Sequence, residues 1–333
     1  MRSLNPLQVD VLRDSLIESQ HQVLTVVCNH RGDVAEAWGD VSHLIFPRST
    51  IKPLQALPFL ESGAVESLGL DERMIALACA SHRGEKLHLE VLREWSEKIQ
   101  ISESCLICGG HLPFDEESQK DFIRNEKPLT PFCHNCAGKH MGILSLCKQK
   151  NYSTKDYGHF SHPAQREIQK VLSETTQFDH EKAIQGIDGC GIPTYAAPLE
   201  ALARGLSVFI QSQLSGHRRI SCDRIVQAWK KYPELVSGTK SFLFKTAQVT
   251  RGRVLLKNGA EGTLCGLILD KQFSFILKTL DGAPRAAEAA ALWTLRRLGA
   301  LGETEYEVLK PLALPTISNS RGEVVGLLRV SEV

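Results

Sequence analysis

Hydrophobic and polar positions change period several times along the 333 residues of the chain. Gln22 to Cys28 is dominated by β-branched residues and reads as a strand, with Arg31-Gly32-Asp33 as a turn and Val34 to Trp38 as the returning strand. A helical period follows. Leu54, Leu57 and Leu60 form one stripe, the helix starting near Thr50 to Lys52 with Pro53 in its first turn and Pro58 bending it. Leu87 to Ile99 is amphipathic, with Leu89, Leu92, Trp95 and Ile99 facing inward. Ile143, Leu144 and Cys147 mark another apolar helix face, and Pro198 to Leu214 and Cys222 to Lys231 are also helical in pattern.

After Ser237-Gly238-Thr239 the period shortens again. Arg253 to Lys257, Gly262 to Leu269 and Phe273 to Lys278 read as an antiparallel meander. Asp281-Gly282-Ala283-Pro284 opens an alanine-rich helix to about Leu298, and Glu323 to Val330 is the last strand. Strands at both ends with helices between predict an α+β fold: an antiparallel sheet from the N- and C-terminal strands, with an inserted helical lobe. The expected organisation is one two-lobed domain over 1–333, with the sheet lobe roughly 1–48 and 240–333 and the helical lobe roughly 49–239.

Composition narrows the function classes. A hydrophobic fraction of 42% and a net charge of +1 suit a soluble globular chain and supply no bulk attraction to nucleic acid or anionic membranes. No apolar run approaches the roughly 18 residues of a membrane span. Asp10, Arg13, Asp14 and Glu18 interrupt any signal-peptide core, so the expected address is the cytoplasm. With no export signal, the ten cysteines read as buried thiols, metal ligands or catalytic groups rather than disulfides.

Candidate chemistry begins at Ser49-x-x-Lys52, where strand pattern gives way to helix pattern. An amine one helical turn from a hydroxyl can take its proton, provided it is uncharged, and burial beside the cation Arg48 favours that. The same spacing also fits a serine helix cap beside a solvated lysine. Cys79-Ala80-Ser81-His82 places a second serine in a run of small residues that admits close backbone approach. Cys105/Cys108 and Cys133/Cys136 form two Cys-x-x-Cys pairs, a spacing that suits tetrahedral zinc, although unrelated buried cysteines would look the same. Asn135-Cys136-Ala137-Gly138-Lys139-His140 feeds a helix start, and Gly186 to Pro193 surrounds Asp188 and Cys190 with three glycines, a costly loop unless something binds there.

Taken in order, Arg48-Ser49-x-x-Lys52-Pro53, Cys79-Ala80-Ser81-His82-x-Gly84-Glu85, Cys108-Gly109, His134-Asn135-Cys136-x-Gly138-Lys139-His140, His162-Pro163, Asp188-Gly189-Cys190-Gly191 and Lys257-x-Gly259-Ala260-Glu261-Gly262 form a set that resembles the L-asparaginase II family, the rhizobial-type asparaginases, over nearly the whole chain. The resemblance implies a serine β-lactamase or penicillin-binding-like fold and hydrolysis of L-asparagine to L-aspartate and ammonia. It implies two serine–lysine pairs, Ser49 with Lys52 and Ser81 with Lys257, with Lys278 a rival for the second lysine and Arg48 helping to keep both amines neutral. It also implies a metal position, usually zinc, at Cys136, Lys139 and Cys190, substrate contacts at Asp188, Lys139, Asn135, Gly189, Gly191 and His82, and a homodimer. Asp188 would meet the substrate ammonium, and the Gly189 to Gly191 amides would meet the oxyanion. Ala137 departs from the family, where a serine is common, and so does Gln22, where glycine is usual. Two other readings are a β-lactam- or peptide-directed serine hydrolase on the same fold, and an interaction module stapled by zinc on Cys105, Cys108, Cys133 and Cys136.

Overall fold

The computed structural model describes residues 2–211 and 214–332. They gather into two compact units, one holding 2–50, 197–211 and 240–332, the other 51–196 and 214–239.

The first unit is organised by a nine-stranded sheet. Its core strand, Leu16–Asn29, pairs antiparallel with Leu7–Arg13 along its first half and with Phe273–Thr279 and Val34–Trp38 along its second. Val324–Glu332 pairs on the far side of Leu7–Arg13, and Thr263–Ile268 and Val254–Gly259 extend the sheet beyond Phe273–Thr279. The sheet is therefore made from the two ends of the chain, as the strand pattern implies. Leu7–Arg13 alternates, with Leu7, Val9 and Val11 buried. Asp10 is also buried, and Arg329 on the neighbouring strand satisfies it at 2.7 Å.

The helix Pro284–Arg297 lies on the sheet through Ala286, Ala289, Ala290 and Leu292, packed with Val23, Val27, Phe275 and Leu277. Alanine adds helix propensity and lets the helix approach closely. Helix Leu199–Ser207 belongs to this unit as well, since Ser274 Oγ donates to Ala203 O at 3.1 Å. The sequence pattern runs that helix to Leu214, but it ends in a 3₁₀ turn at Val208–Ile210, and residues 212–213 lie outside the described residues.

The second unit is built around helix Ala137–Lys150, buried continuously from Ala137 to Cys147, as a helix inside a bundle must be. It crosses helix Glu72–Ala78 at Gly138, where a Cβ would stand 2.0 Å from the Leu77 carbonyl oxygen. Trp95, on helix Lys86–Ile99, donates to Ser145 Oγ at 3.0 Å. The helix expected to start near Thr50 and bend at Pro58 is instead a 3₁₀ turn, Arg48–Ile51, followed by short helices Lys52–Gln55 and Leu57–Glu61. Pro53 and Pro58 each lack an N–H and each sit in a first turn, so the chain restarts rather than bends. A hairpin of Gln185–Ile187 and Pro193–Tyr195 carries Asp188 to Ile192 at its tip. Among the described residues, no helix is long and apolar enough to cross a membrane.

Candidate active site

In the first unit, the strand Leu44–Ile45 leads to the turn holding Ser49. Arg48 takes a left-handed backbone, φ 52°, a conformation that costs a non-glycine residue energy and aims the following residue sharply. The turn rests on the end of strand Val254–Gly259: a Cβ on Gly259 would stand 3.2 Å from the Ser49 amide nitrogen and 3.3 Å from Arg48 Cβ. Gly259 is thus required by close approach. Two residues earlier, Lys257 is completely buried, and its Nζ donates to Asn258 O at 2.7 Å. Its cross-strand partner Cys265 has a thiol pushed up to about 12 by burial. Lys278 sits at the strand end, half-buried, donating to Glu261 O and Thr279 O at 2.5 and 2.8 Å, and desolvation lowers its pKa. Both lysines that compete for the second pair therefore cap backbone carbonyls.

In the second unit, Lys52 is fully buried and donates to Ala80 O at 2.5 Å and to Ser81 Oγ at 3.0 Å. Its serine partner here is thus 29 residues distant in sequence. The loop carrying Ser81 is braced on both sides. The Ser81 amide donates to Val236 O at 3.1 Å, the His82 amide donates to Asn135 O at 3.2 Å, and Glu85 accepts from the Thr239 amide and hydroxyl at 3.0 and 2.6 Å. His82 accepts from the Gly84 amide on Nδ1, which puts its proton on Nε2, a buried atom with no partner among the described residues. Burial, then His88 and Lys52, keep this imidazole well below its usual pKa, hence neutral.

Cys136 begins helix Ala137–Lys150, and Lys139 stands in its first turn. Lys139 donates to Cys190 Sγ at 3.0 Å and faces the Asp188 carboxylate at 3.7 Å. A hydrogen bond from Cys190, outweighing burial and aided by Lys52 and Lys139, holds the Cys136 thiol well below its usual range, while the same bond pushes Cys190 up. Burial opposes the charge on Lys139, but Cys190, Cys136 and Asp188 together raise its pKa. The result is two cysteines, a lysine and an aspartate in contact in one cluster.

Three expectations change at this point. Two of the amides assigned to an oxyanion are engaged at home: Gly189 N–H donates to Asp188 Oδ1 at 2.9 Å and Gly191 N–H to Asp188 O at 2.8 Å. Asn135 is engaged at home as well, its amide donating to His111 Nε2 at 3.0 Å and its side-chain Oδ1 accepting from Cys136 Sγ at 3.4 Å. The Cys-x-x-Cys pairs do not converge either. Cys108 Sγ lies 3.7 Å from Pro131 O, Cys133 Sγ lies 3.8 Å from Thr130 Oγ1, and Cys136 is taken by Cys190.

Among the described residues, no three His, Cys, Asp or Glu side chains gather as a ligand set. For a metal at Cys136, Lys139 and Cys190 the donors suit a thiophilic ion, two sulfurs and a nitrogen already in contact, on the condition that Lys139 gives up its proton.

The pattern did not single out Tyr157. It is completely buried, accepts from the Ile107 amide at 3.0 Å and lies 2.7 Å from His140 Nδ1. His140 was visible only as part of the helix-start motif; its i, i+4 spacing from Cys136 is the signal that places the two on one helix face.

Sequence comparison places the chain among amidohydrolases. Residues 9–330 match the family model described as L-asparaginase II, and the chain belongs to that family. No curated protein matches the sequence. Among solved structures, the chain is similar to a beta-lactamase from Mycobacterium bovis at 10% identity and TM-score 0.42, covering 87% of this chain and 92% of that one. It is also similar to the D-alanine carboxypeptidase AmpC from Burkholderia cenocepacia at 10% identity and TM-score 0.42, covering 84% and 93%. Likeness at that level says nothing about activity.

Proposed function

We propose that the chain hydrolyses the side-chain amide of L-asparagine to L-aspartate and ammonia by acyl transfer to a serine, with Lys52 as the base. The observation that carries this is the hydrogen bond from fully buried Lys52 to Ser81 Oγ at 3.0 Å, which joins an amine removed from solvent to a partly buried hydroxyl. Uncharged Lys52 takes the serine proton, the oxygen attacks the amide carbon, and the proton passes to the leaving nitrogen. Water then cleaves the ester. In the family-based reading Ser49 attacks, while Ser81 and Lys257 relay protons. The Lys52–Ser81 contact favours a second reading, in which Ser81 attacks directly.

Asp188 would take the substrate ammonium, competing with Lys139 for its carboxylate. Zinc, if held by Cys136, Cys190 and neutral Lys139, would supply a Lewis acid that polarises or orients a carbonyl oxygen. Homodimeric assembly and a cytoplasmic address belong to the same proposal.

The test is ammonia release from L-asparagine by the purified chain, with ester trapping followed by mass spectrometry in Ser49→Ala and Ser81→Ala. No release by the wild type refutes the reading. An adduct that survives Ser49→Ala but not Ser81→Ala assigns the attack to Ser81.

A further inference from the structure

The cluster around Cys136 is backed by a hydrogen-bond chain that the proposed mechanism does not use. Tyr157 Oη accepts from the Ile107 amide, and among the described residues its own proton has one acceptor, His140 Nδ1, at 2.7 Å. The imidazole proton is therefore on Nε2, and that atom is buried with no partner among the described residues, in a residue with no exposed surface. His140 follows Cys136 by one turn on the same helix, and its amide donates to Cys136 O at 3.2 Å. Side chains on a helix lean toward its N-terminus, so the ring is directed over Cys136. A buried N–H left without an acceptor costs stability unless something supplies one.

We propose that His140 is a ligand-binding residue, its Nε2–H donating to a carboxylate oxygen of the substrate beside Lys139, with Tyr157 as the positioning residue that fixes the tautomer. The inference rests on the asparaginase reading and names a recognition contact within it. The chain continues outward. Ile107, whose amide anchors Tyr157, lines a cavity of about 640 Å³ together with Gly158 and Gly191. A Cβ on Gly158 would stand 2.4 Å from Ile107 Cδ1 and 2.7 Å from Gly191 O, so that wall has no slack. Gly191, which closes the Asp188 turn, and the Tyr157 hydroxyl that orients His140 are thereby both braced on Ile107.

The experiment compares wild type, His140→Leu, His140→Gln and Tyr157→Phe in asparagine kinetics, in L-aspartate binding by calorimetry and in thermal midpoint. The ¹⁵N signal of the His140 ring is followed as L-aspartate is added. His140→Leu should raise KM and the aspartate Kd about tenfold or more, as for a lost hydrogen bond to a charged group, with kcat changed less. His140→Gln, which keeps an N–H donor, should recover most of the loss. Tyr157→Phe should fall between, and the wild-type Nε2 signal should shift with ligand. An unchanged KM and Kd in His140→Leu overturns the proposal, as does a glutamine variant no better than the leucine one, or an Nε2 signal indifferent to ligand. Should the leucine variant not fold, Tyr157→Phe and the ring signal decide. Wild type that releases no ammonia sinks the asparaginase reading, whereas active wild type with an unmoved His140→Leu sinks this inference alone.

Discussion

Gly138→Ala separates packing from propensity at the helix that carries the cysteine–lysine cluster. A Cβ at this position would stand 2.0 Å from Leu77 O, 2.6 Å from Leu77 C and 2.8 Å from Leu77 Cγ. The obstacle is backbone, which cannot swing aside, so helix Ala137–Lys150 must back away from Glu72–Ala78 by about 1 Å or more to restore van der Waals contact. Helix propensity favours alanine by about 1 kcal/mol, while overpacking of this kind costs about 3 kcal/mol or more. The net loss is about 2 kcal/mol, or about 4–8 °C in Tm for a unit of this size.

Activity should fall further than stability. Lys139 moves with the helix, and a shift of about 1 Å breaks its 3.0 Å contact with Cys190; misplacement on that scale can cost about a hundredfold in rate. The control is Gly142→Ala, one turn on, where the new Cβ would meet Ala78 Cβ at 3.4 Å and Phe59 Cδ1 at 3.7 Å, both ordinary contacts. That variant should match or exceed wild type by up to about 1 kcal/mol. Calorimetric Tm and ammonia release, assayed well below every midpoint, measure both effects. A Gly138→Ala protein as stable and as active as Gly142→Ala would refute the reasoning.

Two further outcomes are expected. Lys52→Met should lower ammonia release by about a hundredfold to ten-thousandfold yet leave Tm within a few degrees, because removing a buried amine offsets the donor lost by Ala80 O and Ser81 Oγ; activity within tenfold of wild type would remove Lys52 from the chemistry. His180 is completely buried, and desolvation lowers its pKa from 6.5 to about 4, so between these values the unfolded chain binds a proton that the native chain refuses. Stability is then full above about pH 6.5 and declines as pH falls toward 4, by at most about 2–3 kcal/mol from this residue. His82 and His140 are lowered in the same direction. Urea unfolding from pH 7.5 to 4.5, with the His180 ring followed by NMR, measures it, and a ring that titrates near 6.5 contradicts it.

Local pattern carried the sheet because strand faces alternate and the apolar runs at both ends are rich in β-branched residues. It lost Leu7–Arg13, whose alternation is interrupted by the buried Asp10, a residue made tolerable by Gln8, Gln20 and, from the other end of the chain, Arg329. It also lost helix Glu303–Ala313, which buries only Leu309 and Ala313 and contains Pro311, so its apolar stripe is nearly absent. The site divides in the same way. Motif blocks picked out the candidate side chains, since serine, lysine and cysteine in glycine-rich surroundings are locally expensive, but spacing along the chain could not say which side chain meets which. Three residues is one helical turn, which is why Ser49 and Lys52 are paired from the sequence; the segment is a 3₁₀ turn followed by a proline-started helix, and the bond from the Lys52 amine to Ser81 is one that no local spacing names. The Cys-x-x-Cys repeat misleads for a related reason. Two residues between thiols permits a shared ligand only if the loop closes on itself, whereas Cys136 opens a helix and finds Cys190 on the tip of a hairpin more than fifty residues away. In each case the deciding contact is set by how a helix start and a distant loop are packed together. Gly138, in the first turn of the helix that Cys136 opens, stands against the Leu77 backbone with no room for a Cβ, which makes it the most informative single residue to change.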